Sequence, residues 1–160
     1  MTMLADQIRD HAARTPDRIA IECGVTHSLD WARLAAALDD GIVGLLGTGG
    51  PVAIEMDQGL PLCLHDLALL EAGVPAVSIP AFFTTEQRAH MLNEIASATL
   101  PDGTARISFT SGSTGTPKGI CLSANHMISV AKAVVDYLGD SHAGRHLPLL
   151  PPGILLENVA

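Results

Sequence analysis

Residues 52–79 constrain the fold most, because two short apolar runs flank a helical stretch there. Val52-Ala53-Ile54-Glu55-Met56 reads as a strand and is followed by Asp57, Gln58 and Gly59. Residues 61–72 have helical character, Gly73 stops them, and residues 74–79 are strand-like again. A strand, a helix and a second strand in that order join parallel strands through a right-handed crossover. The segment therefore predicts an α/β architecture, a layered sheet with flanking helices.

The rest of the chain extends this pattern. Leu4, Ile8 and Ala12 recur on one helical face, predicting a helix over 3–14 that the Thr15-Pro16 step ends. Residues 19–23 and 26–29 read as a hairpin around Gly24. Asp30 can cap a helix over 31–46, along which Trp31, Leu34, Leu38, Ile42 and Leu45 recur. A further helix is expected over 84–96 and a strand over 107–109. Ser123 can cap a helix that runs to Leu138 and stops at Gly139. The prolines of 147–156 make that tail extended. No internal repeat is present, and the length predicts one compact unit.

Composition removes several functional classes. The net charge of -8 opposes nucleic-acid binding, which needs clustered cations. No apolar run approaches the ~18 residues of a membrane span, and the first ten residues lack a secretory layout, so the expected location is the cytoplasm. Cys23, Cys63 and Cys121 have no partners at zinc-site spacing and read as small core residues.

Between the strand at 107–109 and the helix after Ser123 lies Ser108-Phe109-Thr110-Ser111-Gly112-Ser113-Thr114-Gly115-Thr116-Pro117-Lys118-Gly119. Glycine and proline interrupt it so often that regular structure is not expected there. Its glycines let backbone N–H groups approach an anion, its hydroxyls donate further hydrogen bonds, and Lys118 adds a point charge. The segment differs from a P-loop, because Lys118 follows Pro117 and precedes Gly119 rather than Ser or Thr. A flexible Gly/Ser linker is the plain alternative, but a linker rarely joins an apolar strand to a capped helix.

Residues 110–119 closely resemble the signature loop of the adenylate-forming superfamily, which includes acyl-CoA synthetases, peptide-synthetase adenylation domains and luciferases. Residues 4–21 resemble that family's opening helix and strand, and residues 70–80 its next conserved block. The resemblance implies an incomplete N-terminal AMP-binding (adenylation) subdomain over 1–160, without the C-terminal lid domain. It implies ATP-dependent activation of a fatty, aryl or amino acid as an acyl-adenylate, assisted by Mg2+. Transfer to the thiol of CoA or of carrier-protein phosphopantetheine would follow. By the same resemblance, Thr110, Ser111, Gly112, Ser113, Thr114, Gly115, Thr116, Lys118 and Gly119 would form the loop that holds the β- and γ-phosphates. No catalytic or metal-ligating residue of the family is matched within the chain. A noncatalytic phosphate-binding module, or a partner chain of a complete synthetase, is the alternative reading.

Two departures stand out. Leu150-Pro151-Pro152 occupies a place where the family often has a polar residue after a stretch like Leu147-Pro148-Leu149. The stretch from Glu94 to Arg106 is short, so a strand could be missing and the open edges of a partial sheet would favour association. Other polar residues have plain readings. His126 reads as a surface or packing residue, and Gly144 opposes a helical metal pair of His142 and His146. Asp39, Asp40 and Asp57 read as solvated carboxylates at helix ends and turns.

Overall fold

The computed structural model describes residues 4–24, 27–79, 82–110, 117–139 and 147. In chain order these form α1 (Leu4–Arg14), β1 (Ile19–Cys23), β2 (His27–Asp30), α2 (Trp31–Leu45), β3 (Val52–Ile54) and α3 (Leu60–Ala72). There follow β4 (Ala76–Ser78), α4 (Thr85–Ser97), β5 (Thr104–Thr110), β6 (Lys118–Ser123) and α5 (Ala124–Leu138). Packing divides the chain into two compact units where length predicted one: 1–50 with 56–74, and 51–55 with 75–160. The division arises because the chain builds two separate apolar clusters.

In the first unit, α1, α2 and α3 close around Ala5, Ile8, Leu34, Leu38 and Ala68. Ala5 and Ile8 are three apart on α1, and Leu34 and Leu38 four apart on α2, which aligns each pair on one helix face. The Asp30 carboxylate accepts from the Arg33 amide at 2.8 Å and caps α2 as expected. A Cβ on Gly41 would stand 2.9 Å from that of Ala68, so a glycine in mid-helix lets α2 and α3 approach closely. Asp39, on the outer face, takes a 2.6 Å ion pair from Arg9. The β1–β2 hairpin is antiparallel, with Ile21 opposite Leu29.

The second unit carries a sheet of order β3-β4-β5-β6. Strands β3, β4 and β5 are parallel, as the strand–helix–strand pattern requires, and β6 returns antiparallel to β5. The short connection after α4 leaves no gap, because β4 pairs directly with β5. A turn in which the Thr104 hydroxyl donates to the Pro101 carbonyl at 2.7 Å makes this connection. Side chains alternate along β5. Ile107 and Phe109 join Val77, Ile79, Met91 and Ile95 in an apolar cluster, so α4 packs on that face. Thr104, Arg106 and Ser108, on the alternate positions, are buried too.

Strand β6 corrects the expectation of an irregular segment reaching Gly119. The run Ile120-Cys121-Leu122 was a legible β-prone signal, but pairing with β5 is what makes Lys118 and Gly119 regular. Cys121 is exposed on this strand and is not a core residue, whereas Cys23 and Cys63 are partly buried. Burial pushes the Cys63 thiol above its ordinary pKa, with Asp66 adding to the effect. No helix among the described residues is long and apolar enough to cross a membrane.

Candidate functional site

The candidate phosphate loop leaves the sheet at the end of β5 and rejoins it at the start of β6. Thr110 and Lys118 are opposite each other in the antiparallel ladder, and Phe109 faces Gly119. The ends of the segment are thereby held side by side, at the mouth of the loop that joins β5 to β6. Ser111, Gly112, Ser113, Thr114, Gly115 and Thr116 lie outside the described residues. Residues 140–146, with His142, and the tail after Leu147 lie outside them as well.

Lys118 is exposed at the mouth of the hairpin and makes no ion pair with any described residue. Thr110 is also exposed, at the last position of β5. Gly119 has a packing role. A Cβ there would approach the side chains of Ile107 and Phe109 to 3.3 Å, tighter than ordinary contact. Its lack of a side chain leaves room on the sheet for the Ile107 and Phe109 side chains, one residue from the cation. The described part of the site thus joins a hydroxyl, a cation and a glycine at one end of the sheet.

Helix α4 flanks this hairpin, and several contacts fix it. Its N-terminus carries a capping box: the Gln87 amide donates to the Thr84 hydroxyl at 3.2 Å, and the Gln87 side chain accepts from the Thr84 amide at 2.9 Å. Arg88 donates two hydrogen bonds of 2.6 Å to the Glu55 carboxylate, which tie the first turns of α4 to the end of β3. Met91 is fully buried. From this helix, the His90 Nε2 lies 3.1 Å from the carbonyl of Pro117, which is itself buried.

The Arg88 hydrogen bonds hold the Glu55 carboxyl below its ordinary pKa, against a smaller opposing effect of burial. Glu55 in turn raises the Arg88 guanidinium, so both partners favour the charged pair. A carboxyl depressed on folding stabilises the fold above its unfolded value of about 4.5 and loses that contribution as pH falls through the folded value. Glu55→Gln is expected to lower the thermal midpoint slightly at neutral pH, since water screens exposed pairs. The difference from wild type should close on acidification, and a difference independent of pH would count against the ion pair.

Two features of the site went unseen in sequence. Arg106 is buried within β5, where its Nη1 lies 3.4 Å from the Ser78 hydroxyl. An arginine flanked by Ala105 and Ile107 carries no signal of burial beyond strand alternation. The His90–Pro117 contact spans 27 positions, which local pattern cannot reveal. His126 is exposed at the start of α5, where its backbone amide meets the capping Ser123 hydroxyl at 3.2 Å, in keeping with its surface reading. The described residues contain no group of His, Cys, Asp or Glu able to hold a metal ion.

No family model matches the chain. Two curated relatives are similar to it. Nonribosomal peptide synthetase lenA of Aspergillus lentulus is 38% identical over 82 residues, covering 48% of this chain and 2% of the relative. Hybrid PKS-NRPS synthetase iccA of Talaromyces variabilis is 30% identical over 141 residues, covering 74% of this chain and 4% of the relative.

Among solved structures, O-succinylbenzoate coenzyme A synthetase of Bacillus subtilis in complex with AMP superposes with a TM-score of 0.77 at 21% identity. That match covers 95% of this chain and 51% of the synthetase. The same enzyme with ATP and magnesium ion gives a TM-score of 0.75 at 21% identity, covering 95% of this chain and 53% of that one. The N-terminal subdomain of Klebsiella oxytoca NpsA, bound to 3-hydroxyanthranilyl-AMSN, gives 0.74 at 21% identity, covering 94% and 48%.

The chain has the mixed α/β fold of the N-terminal subdomain of adenylate-forming enzymes, in agreement with the resemblance carried by its loop. It spans about half the length of these solved structures and a few per cent of the curated synthetases.

Proposed function

We propose that this chain is the phosphate-gripping part of an enzyme that activates a carboxylic acid with ATP. In the proposed reaction a carboxylate oxygen attacks the α-phosphorus and forms the acyl-phosphate bond. The bond from that phosphorus to the α,β-bridging oxygen breaks, and pyrophosphate leaves with the electron pair. Charge therefore grows on the β- and γ-phosphates as the bond breaks. A cation placed there stabilises the transition state more than the ground state. Lys118 is assigned that role, with Thr110 and the hydroxyls and amides of 111–116 as hydrogen-bond donors.

The observation that carries the reading is the position of Lys118, an exposed cation without an ion-pair partner among the described residues, at the mouth of the β5–β6 hairpin. The fold shared with adenylate-forming enzymes supports it, one of which was solved with ATP and magnesium ion. Magnesium enters this reading as part of Mg-ATP, carried by the phosphates of the nucleotide. In a complete enzyme the acyl group would pass to a thiol, that of CoA or of a carrier-protein phosphopantetheine. A cytoplasmic location accompanies this reading.

Calorimetry with Mg-ATP on the 160-residue chain, together with ATP–pyrophosphate exchange across fatty, aryl and amino acids, tests the proposal. Binding with exchange for one acid class is the expected result for an activating enzyme. Binding without exchange would identify a phosphate-binding module. A folded chain that does neither would overturn the assignment.

A further inference from the structure

We infer that His90 is a positioning residue for Lys118, acting through the carbonyl of Pro117; this rests on the reading of Lys118 as the phosphate cation. The Pro117 carbonyl can only accept, so the imidazole donates from Nε2 across the 3.1 Å contact. Pro117 is buried and immediately precedes β6, so its carbonyl orientation sets the backbone from which Lys118 departs. A buried carbonyl demands a partner, and His90 provides one from outside the hairpin.

The donor itself stands on a fixed support. The capping box holds the first turn of α4, Arg88 grips Glu55 with two 2.6 Å bonds, and Met91 is fully buried next to His90 in sequence. A side chain on such a helix has little freedom to follow its acceptor. Opposite Lys118, the ladder partner Thr110 holds the hairpin from its other arm. The lysine backbone is thus located from two directions, by β5 pairing and by α4 through His90. An exposed ammonium on a flexible stem gains most from a fixed starting point, because less freedom remains to be lost on binding phosphate.

Glutamine provides the discriminating variant, since its Nε2 is separated from Cβ by the same number of atoms as the histidine Nε2. His90→Ala in the full chain is expected to weaken Mg-ATP binding about tenfold, the equivalent of one hydrogen bond lost from a buried acceptor. His90→Gln should restore most of that loss. In a Lys118→Ala background, His90→Ala should add nothing, because it acts through the lysine. Equal losses in His90→Ala and His90→Gln, or an undiminished effect without Lys118, would overturn the inference.

If Lys118→Ala leaves Mg-ATP affinity unchanged, the phosphate reading fails instead, and hydrogen exchange without nucleotide then decides the positioning claim. Faster exchange at the Lys118 and Gly119 amides in His90→Ala, slowed again in His90→Gln, would support it. Unchanged exchange would refute it.

Discussion

Lys118→Ala is expected to weaken Mg-ATP binding roughly 10- to 100-fold, the range that follows from losing a hydrogen bond to a charged group. The residue is exposed and forms no ion pair with the described residues, so its removal should barely alter the thermal midpoint. That separation of effects makes the variant informative. Lys118→Arg retains the charge but exchanges a compact ammonium for a planar fork, so it should recover only part of the affinity. Calorimetry of the three proteins at one salt concentration checks this. Unchanged affinity in Lys118→Ala would remove the lysine from the site, and an equal fall in stability would show a structural role instead.

Met91→Ala should produce the largest change in stability, a loss of about 2–5 kcal/mol. Met91 is fully buried and packs with Ile95 against Val77, Ile107 and Phe109, which fastens α4 to the sheet. Truncation removes apolar burial and leaves a space that the rigid sheet fills only in part. Urea unfolding followed by circular dichroism should show a lower midpoint with an unchanged slope. Met91→Leu, which conserves volume, should lose less than about 1.5 kcal/mol. An alanine variant as stable as wild type would mean that α4 is held by its surface contacts, Glu55–Arg88 and the capping box, rather than by this cluster.

Much of the local structure was legible because its causes are local. Asp30, Thr84 and Ser123 begin helices, and Gly73 and Gly139 end them with positive φ, as short-range hydrogen bonding and backbone freedom require. The parallel sheet followed from apolar runs alternating with helices. The composition of the loop, set between an apolar strand and a capped helix, is what the proposal of a phosphate cradle starts from. The start of strand β6 was not legible because Pro117 and Gly119 argue against a strand there, although Ile120-Cys121-Leu122 favours one. Antiparallel pairing to β5 overrides that preference, and Gly119 has a tertiary use as the place where Ile107 and Phe109 need room.

The chain order of α1 to β5 and of α5 was determined by sequence alone, since periodicity, capping and residue type act over a few positions, and the proposal of an anion cradle at 110–119 starts from residue type in the same way. Tertiary structure alone decided that Thr110 and Lys118 stand side by side, that Arg106 is buried beside Ser78, and that His90 reaches the Pro117 carbonyl. The physical reason is that none of them is local. The His90 and Arg106 relations depend on where the sheet and α4 bring distant backbone together, which is set by burial of the shared core, and the Thr110–Lys118 pairing depends on the register of the β5–β6 ladder, rather than on any preference of the residues themselves.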